Sequence, residues 1–129
     1  MKMKILFRLL IPVLLIGMIG CEPQKEKAAY LITSGTIVDQ VRMAEYIERS
    51  VPLFEKAGAE ELAFGHQSAN NIVLLEGEWE FPGLVMIIKF PSMDVLRKFW
   101  DSPEYQEVKI FRDDGIVDPN FTIAIEDRN

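Results

Sequence analysis

This chain of 129 residues carries 20 acidic against 14 basic residues, a formal charge of −6 at pH 7, with a single cysteine and a single histidine. That balance opposes nucleic-acid binding, which depends on cationic neutralisation of phosphates. One histidine and one thiol leave too few ligands for a metal site within one chain, and no cofactor is expected.

Met1 to Cys21 comes first and is the most diagnostic segment. Lys2, Lys4 and Arg8 make a basic start, Leu9 to Gly20 is uncharged, and the run ends in Ile19-Gly20-Cys21. A basic start, a short apolar run and small residues at the end describe an export signal. Arg8 and Pro12 leave the apolar run short of the ~20 residues that a spanning helix needs. The segment resembles a bacterial lipoprotein signal, in which the cysteine is lipidated and becomes the new N-terminus. By that resemblance residues 1–20 are removed, and Cys21 is the lipidation site that anchors the protein to a membrane. The location is then the bacterial cell envelope, outside the cytoplasm. Glu22, where an Asp would favour inner-membrane retention, points to the outer membrane if the source is Gram-negative. An ordinary secretory signal with a chance cysteine is the competing reading. Loss of Lys2, Lys4 and Arg8 leaves 11 basic against 20 acidic residues, a net of −9. Residues 21–28, with Glu22-Pro-Gln-Lys-Glu-Lys27 at their centre, are polar and read as a flexible tether.

The folded domain is expected over residues 29–129. Ala29 to Val38, rich in β-branched residues, predicts a strand. Asp39 is a helix N-cap candidate. Val41, Ala44, Ile47, Val51 and Phe54 recur at helical spacing and predict an amphipathic helix, with a kink or break at Pro52 and an end at Gly58. Glu61 to Gln67 predicts a short strand, Ser68 to Asn71 a turn, and Ile72 to Glu76 a second short strand closed by Gly77. After a loop with Trp79 and Pro82, Leu84 to Phe90 is the strongest strand signal. Ser92 is an N-cap candidate for a helix bearing Val95, Leu96, Phe99 and Trp100. Ser102-Pro103 restarts a helix with Tyr105, Val108 and Phe111 on one face, ended by Gly115. Asn120 to Glu126 predicts the last strand. This βαβ(β)βαβ order implies an α+β fold, an antiparallel sheet with helices on one face.

Leu84-Val-Met-Ile-Ile88 is apolar on both strand faces, whereas helices cover only one. The second face requires a cover, and the simplest is the same face of a second copy, giving a homodimer. A monomer whose own loops cover that face is the alternative.

Tyr30-Leu-Ile32, Leu75-Glu-Gly77 followed by Trp79 and Pro82, Phe90-Pro-Ser92, Ser102-Pro-Glu-Tyr-Gln106 and Arg112 together resemble domain of unknown function 1330. The resemblance spans Ala29 to Glu126. It implies a ferredoxin-like βαββαβ fold of the dimeric α+β barrel superfamily, in which two sheets pair into one barrel. Gly58-Ala59 departs from the Gly-Gly common at that point, and a lipoprotein signal is unusual there. The resemblance assigns no activity.

Among chemistry-bearing residues, His66 is a general-base candidate. It also reads as a strand-end or loop histidine, either exposed or hydrogen bonded to a neighbour. Glu76, at the end of the predicted Ile72–Glu76 strand, is the second proton-handling candidate if it faces a cleft; the alternative is a solvated carboxylate or a pair with Arg112. Tyr105 and Arg112 are two helical turns apart and share a face. With Trp100 they are the ligand-binding candidates, Arg112 suiting a carboxylate. The alternative places Tyr105 and Trp100 in the core and makes Arg112 a solvent-side or ion-pair residue. A haem-handling protein would have only His66 as axial ligand. The leading expectation is a tethered homodimer that binds or transforms a small organic molecule. The rival is a non-enzymatic interaction or scaffold module of the envelope.

Overall fold

The computed structural model describes residues 26–79 and 83–128. The expected signal, the lipidation site Cys21 and most of the tether lie outside the described residues. In chain order the elements are β1 (Ala29–Ile37), α1 (Gln40–Lys56), β2 (Glu60–His66), a 3₁₀ turn (Gln67–Ala69), β3 (Leu84–Phe90), α2 (Met93–Trp100), α3 (Pro103–Asp113) and β4 (Val117–Glu126). Among the described residues no helix is long and apolar enough to cross a membrane.

The helices begin where side-chain caps satisfy their first backbone N–H groups. Asp39 Oδ1 accepts from the Arg42 N–H at 2.9 Å. Ser92 Oγ accepts from Val95 at 3.3 Å, and Ser102 Oγ from Tyr105 at 3.2 Å. Pro103 occupies the first turn of α3, where its missing N–H costs nothing. α1 and α3 end just before Gly58 and Gly115, both with positive φ. The break expected at Pro52 does not occur: α1 continues through it to Lys56.

The four strands form one sheet in the order β2-β3-β1-β4, every neighbouring pair antiparallel. β1, central, pairs with both β3 and β4. β4 starts at Val117, earlier than its sequence signal, because a register shift at Ser34/Gly35 lets Pro119 lie opposite Gly35. The helix side of the sheet holds the core. Ala29, Leu31, Ile88 and Phe90 pack there against Leu96, Phe99 and Tyr105. A second cluster joins Tyr46, Val108, Ile116 and Val117.

Two expectations fail for physical reasons. Ile72 to Glu76 forms no strand. Asn71 takes the place that a strand would need: its Oδ1 accepts from the His66 N–H at 2.8 Å, and its Nδ2 donates to the Phe64 carbonyl at 3.0 Å. These side-chain bonds use up edge groups of β2. Ile72 instead folds back on Gly65, where a Cβ would lie 2.4 Å from Ile72 Cγ1. The second failure is the buried stripe of α1. Val41 is 85% exposed, Ile47 and Val51 are nearly half exposed, and the buried residues are Tyr46 and Ser50. The helix is rotated so that Met43, Tyr46, Ser50 and Leu53 face inward.

The face of the sheet away from the helices is apolar and half exposed, except at Ser34, which is buried. The register puts Tyr30, Ile32 and Ser34 beside Ile125, Ile123 and Phe121 on one flank, and beside Lys89, Ile87 and Val85 on the other. Phe121, Ile123 and Ile125 are each 46% exposed. In the 71–76 segment Val73, Leu74 and Leu75 are exposed as well.

Candidate functional site

The rotation of α1 leaves its Ile47/Val51 flank standing over β2 and β3 without filling the space beneath. A cleft of about 570 Å³ results, within the range of small-molecule sites. From α1 it is lined by Met43, Tyr46, Ile47, Ser50, Val51 and Phe54, with Glu55 at the last turn. The sheet supplies Ile37, Glu61, Phe64, Met86 and Ile88. Glu61 and Phe64 both reach this side because Leu62 sits in a register irregularity between Glu61 and Ala63. Glu61 then pairs with Ile88 and Phe64 with Met86. An added residue of this kind re-aims the side chains that follow it.

Behind the cleft lies a closed polar network. Tyr46, at the inner wall, is hydrogen bonded through its side chain to Tyr105, and the Arg112 guanidinium sits 6.0 Å from the Tyr46 ring centroid. Arg112 Nε donates to Asp113 Oδ1 at 2.9 Å, and Nη2 lies 2.8 Å from the same oxygen. Lys109 Nζ donates to Asp113 Oδ2 at 2.8 Å. Burial, and next the neighbouring Tyr46, push the Tyr105 hydroxyl well above its ordinary value, so it stays protonated. Burial opposes the Arg112 charge, but the hydrogen bond and ion pair with the Asp113 carboxylate keep the guanidinium above its usual range. Burial also works against the Asp113 carboxylate, yet hydrogen bonds from Lys109 and Arg112 hold it below the usual value. Among the described residues no buried side-chain polar atom lacks a partner. The network therefore braces the inner wall, and its Arg112 is committed to Asp113.

Residues 28–123 match the DUF1330 family, a domain of unknown function. The chain belongs to the DUF1330 family. No curated protein matches it. Among solved structures, the DUF1330 domain here is similar to a protein of unknown function from Rhodopseudomonas palustris, at 18% identity and TM-score 0.60 over 82% of this chain and 85% of that one. It is also similar to the hydroxynitrile lyase of Passiflora edulis, at 12% identity and TM-score 0.58 over 82% and 97%. A hypothetical Arabidopsis thaliana protein aligns at 16% identity and TM-score 0.51 over 84% and 93%. Likeness at these identities shows the fold, and a fold does not select a chemistry. The fold is ferredoxin-like α+β, a βαββαβ order on an antiparallel sheet arranged β2-β3-β1-β4.

The DUF1330 domain distributes the sequence-derived site residues over separate places. Tyr105 and Arg112 do come together, both buried, as parts of the brace. Trp100 lies 5.4 Å from Tyr105 by ring centroids. It lines a different hollow, of about 500 Å³, with Leu31, Leu96 and Thr122 between α2 and β4. His66 ends β2; its Nδ1 accepts from the Ser68 N–H at 3.2 Å and lies 2.6 Å from Ser68 Oγ. Its ring is within 8° of parallel to that of Phe64, centroids 6.5 Å apart. Phe64 lines the cleft and His66 does not. Glu76 is exposed in the irregular segment after Asn71, and Arg112 pairs with Asp113 instead. Sequence reasoning missed Tyr46, Ser50 and Glu61 as cleft residues. The only local signal was the spacing of Tyr46, Ser50 and Phe54, four residues apart, with a small polar residue in the middle of an inward stripe.

Proposed function

We propose that this DUF1330 domain belongs to a lipoprotein of the bacterial cell envelope, tethered through Cys21, and that it holds a small, mainly apolar molecule in the cleft beneath α1. The observation that carries this reading is the cleft itself: apolar walls, a few polar groups, and an inner wall held rigid by the Tyr46–Tyr105–Arg112–Asp113 network. Rigid support behind a cleft is what a binding site requires. The domain pairs with a second copy across the open sheet face, which would otherwise expose Phe121, Ile123 and Ile125 as one apolar patch.

Binding is tested by thermal unfolding of the purified protein with a panel of small aromatic and aliphatic compounds. A ligand that binds the native state raises the Tm. Ile47→Trp, at an exposed position on the rim, should abolish that shift while leaving the unliganded Tm unchanged. A shift that survives the substitution would place binding elsewhere. Light scattering tests pairing: a dimer is expected, and Ile123→Glu should give a folded monomer. For the anchor, Cys21→Ser should release the protein from membranes; retention after a carbonate wash would rule the tether out.

A further inference from the structure

We infer that the ligand of this cleft is an amine, an apolar body carrying a protonated primary amino group. The inference rests on the cleft reading above and names its ligand class. Among the described residues, two carboxylates, Glu55 and Glu61, are the charged groups that line the cleft. They come from different elements, the last turn of α1 and the start of β2. Both are exposed, so neither was desolvated by folding. Among the described residues neither takes part in an ion pair.

The cations nearby are turned away from the cleft or bound elsewhere. Helical periodicity puts Arg42, Arg49 and Lys56 on the side of α1 opposite Ile47 and Val51. Arg42 bonds to Asp114 and lies 5.0 Å from the Phe111 ring centroid. Arg49 pairs with Glu45 and lies 4.3 Å over the same ring. Lys56 lines a separate hollow on the α2 side of α1. Lys89 is opposite Tyr30 in the register, on the open face of the sheet. Arg112 is buried against Asp113.

The cleft is therefore bordered by two carboxylates without an ion-pair partner among the described residues, and Tyr46, Phe54 and Phe64 also line it. Carboxylates and aromatic faces are the two protein surfaces that attract organic cations. A ligand carboxylate would meet like charge, and no cation among the described lining residues compensates it. Discrimination of this kind comes as much from repelling the wrong partner as from holding the right one. The net charge of −9 on the chain without its signal acts in the same direction on encounter.

The test uses the purified full-length protein and three probes that share one ring system: tryptamine, tryptophol and indolepropionate. Calorimetry should rank tryptamine first and indolepropionate last, with at least about a tenfold difference between them. The double substitution Glu55→Gln and Glu61→Gln, at exposed positions, should reduce tryptamine binding to the level of tryptophol. Equal or tighter binding of indolepropionate would overturn the amine assignment, and so would a tryptamine preference that survives the double substitution. In both cases the cleft remains a binding site. Failure of all three probes, or tryptamine binding unaffected by Ile47→Trp, would remove the cleft reading and the amine assignment together.

Discussion

The two flanks of α1 meet the rest of the molecule in opposite ways. On the α2/α3 side Phe54 joins a stack of rings, 4.6 Å from Phe99, which is itself 4.3 Å from Tyr105 and 5.2 Å from Phe90. On the β2 side the same helix presents Ile47 and Val51 over Phe64, and each of these keeps more than two-fifths of its surface exposed. One flank is a core in which side chains interlock; the other is a wall with room beside it. The difference shows that amphipathic patterning specifies which residues avoid water, and not whether protein or a ligand covers them.

The largest effect should come from breaking the closed flank. Phe99→Ala removes the ring that touches three other aromatic residues and should cost about 3–5 kcal/mol, read by denaturant unfolding. Asp113→Asn should cost less, about 1–2 kcal/mol, because the buried Arg112 loses its charged partner while Asp113 is itself partly open to water. Its pH dependence gives a sharper signature. Asp113 titrates lower in the folded protein than its usual value, so its stabilisation is complete above the unfolded pKa near about 4 and is lost as pH falls through the folded value. The wild type should therefore lose Tm more steeply below that pH than Asp113→Asn does. If the two proteins show the same acid slope, the Arg112–Asp113–Lys109 cluster is not coupled to folding. The smallest effect belongs to the open flank. Phe64→Ala, at a 43% exposed position, should change stability by less than about 1.5 kcal/mol yet weaken ligand binding. A loss as large as that of Phe99→Ala would mean that the cleft is core after all.

Much of the fold was legible in the sequence. Asp39, Ser92 and Ser102 announced helix starts, Leu84 to Phe90 announced β3, and the element order announced the α+β class. The DUF1330 resemblance rested on short segments such as Phe90-Pro-Ser92 and Ser102-Pro-Glu-Tyr-Gln106. Of the candidate site, the pairing of Tyr105 with Arg112 was visible from helical spacing. The cleft was not, because Glu61 and Phe64 share a side only through the irregularity at Leu62, and a one-residue slip moves every side chain of a strand to the other face.

What the sequence determined by itself is what short-range chemistry controls: caps, turns and the apolar excess on both faces of the sheet. The tertiary structure decided the rest. Ile72 to Glu76 has the composition of a strand, but strand preference is preference for a suitable pleated surface, and Asn71 had already taken the edge of β2. α1 has an apolar stripe broad enough for more than one orientation. Packing against α3 selected the one that buries Tyr46 and Ser50, because a buried hydroxyl needs a partner and Tyr105 supplies it for Tyr46.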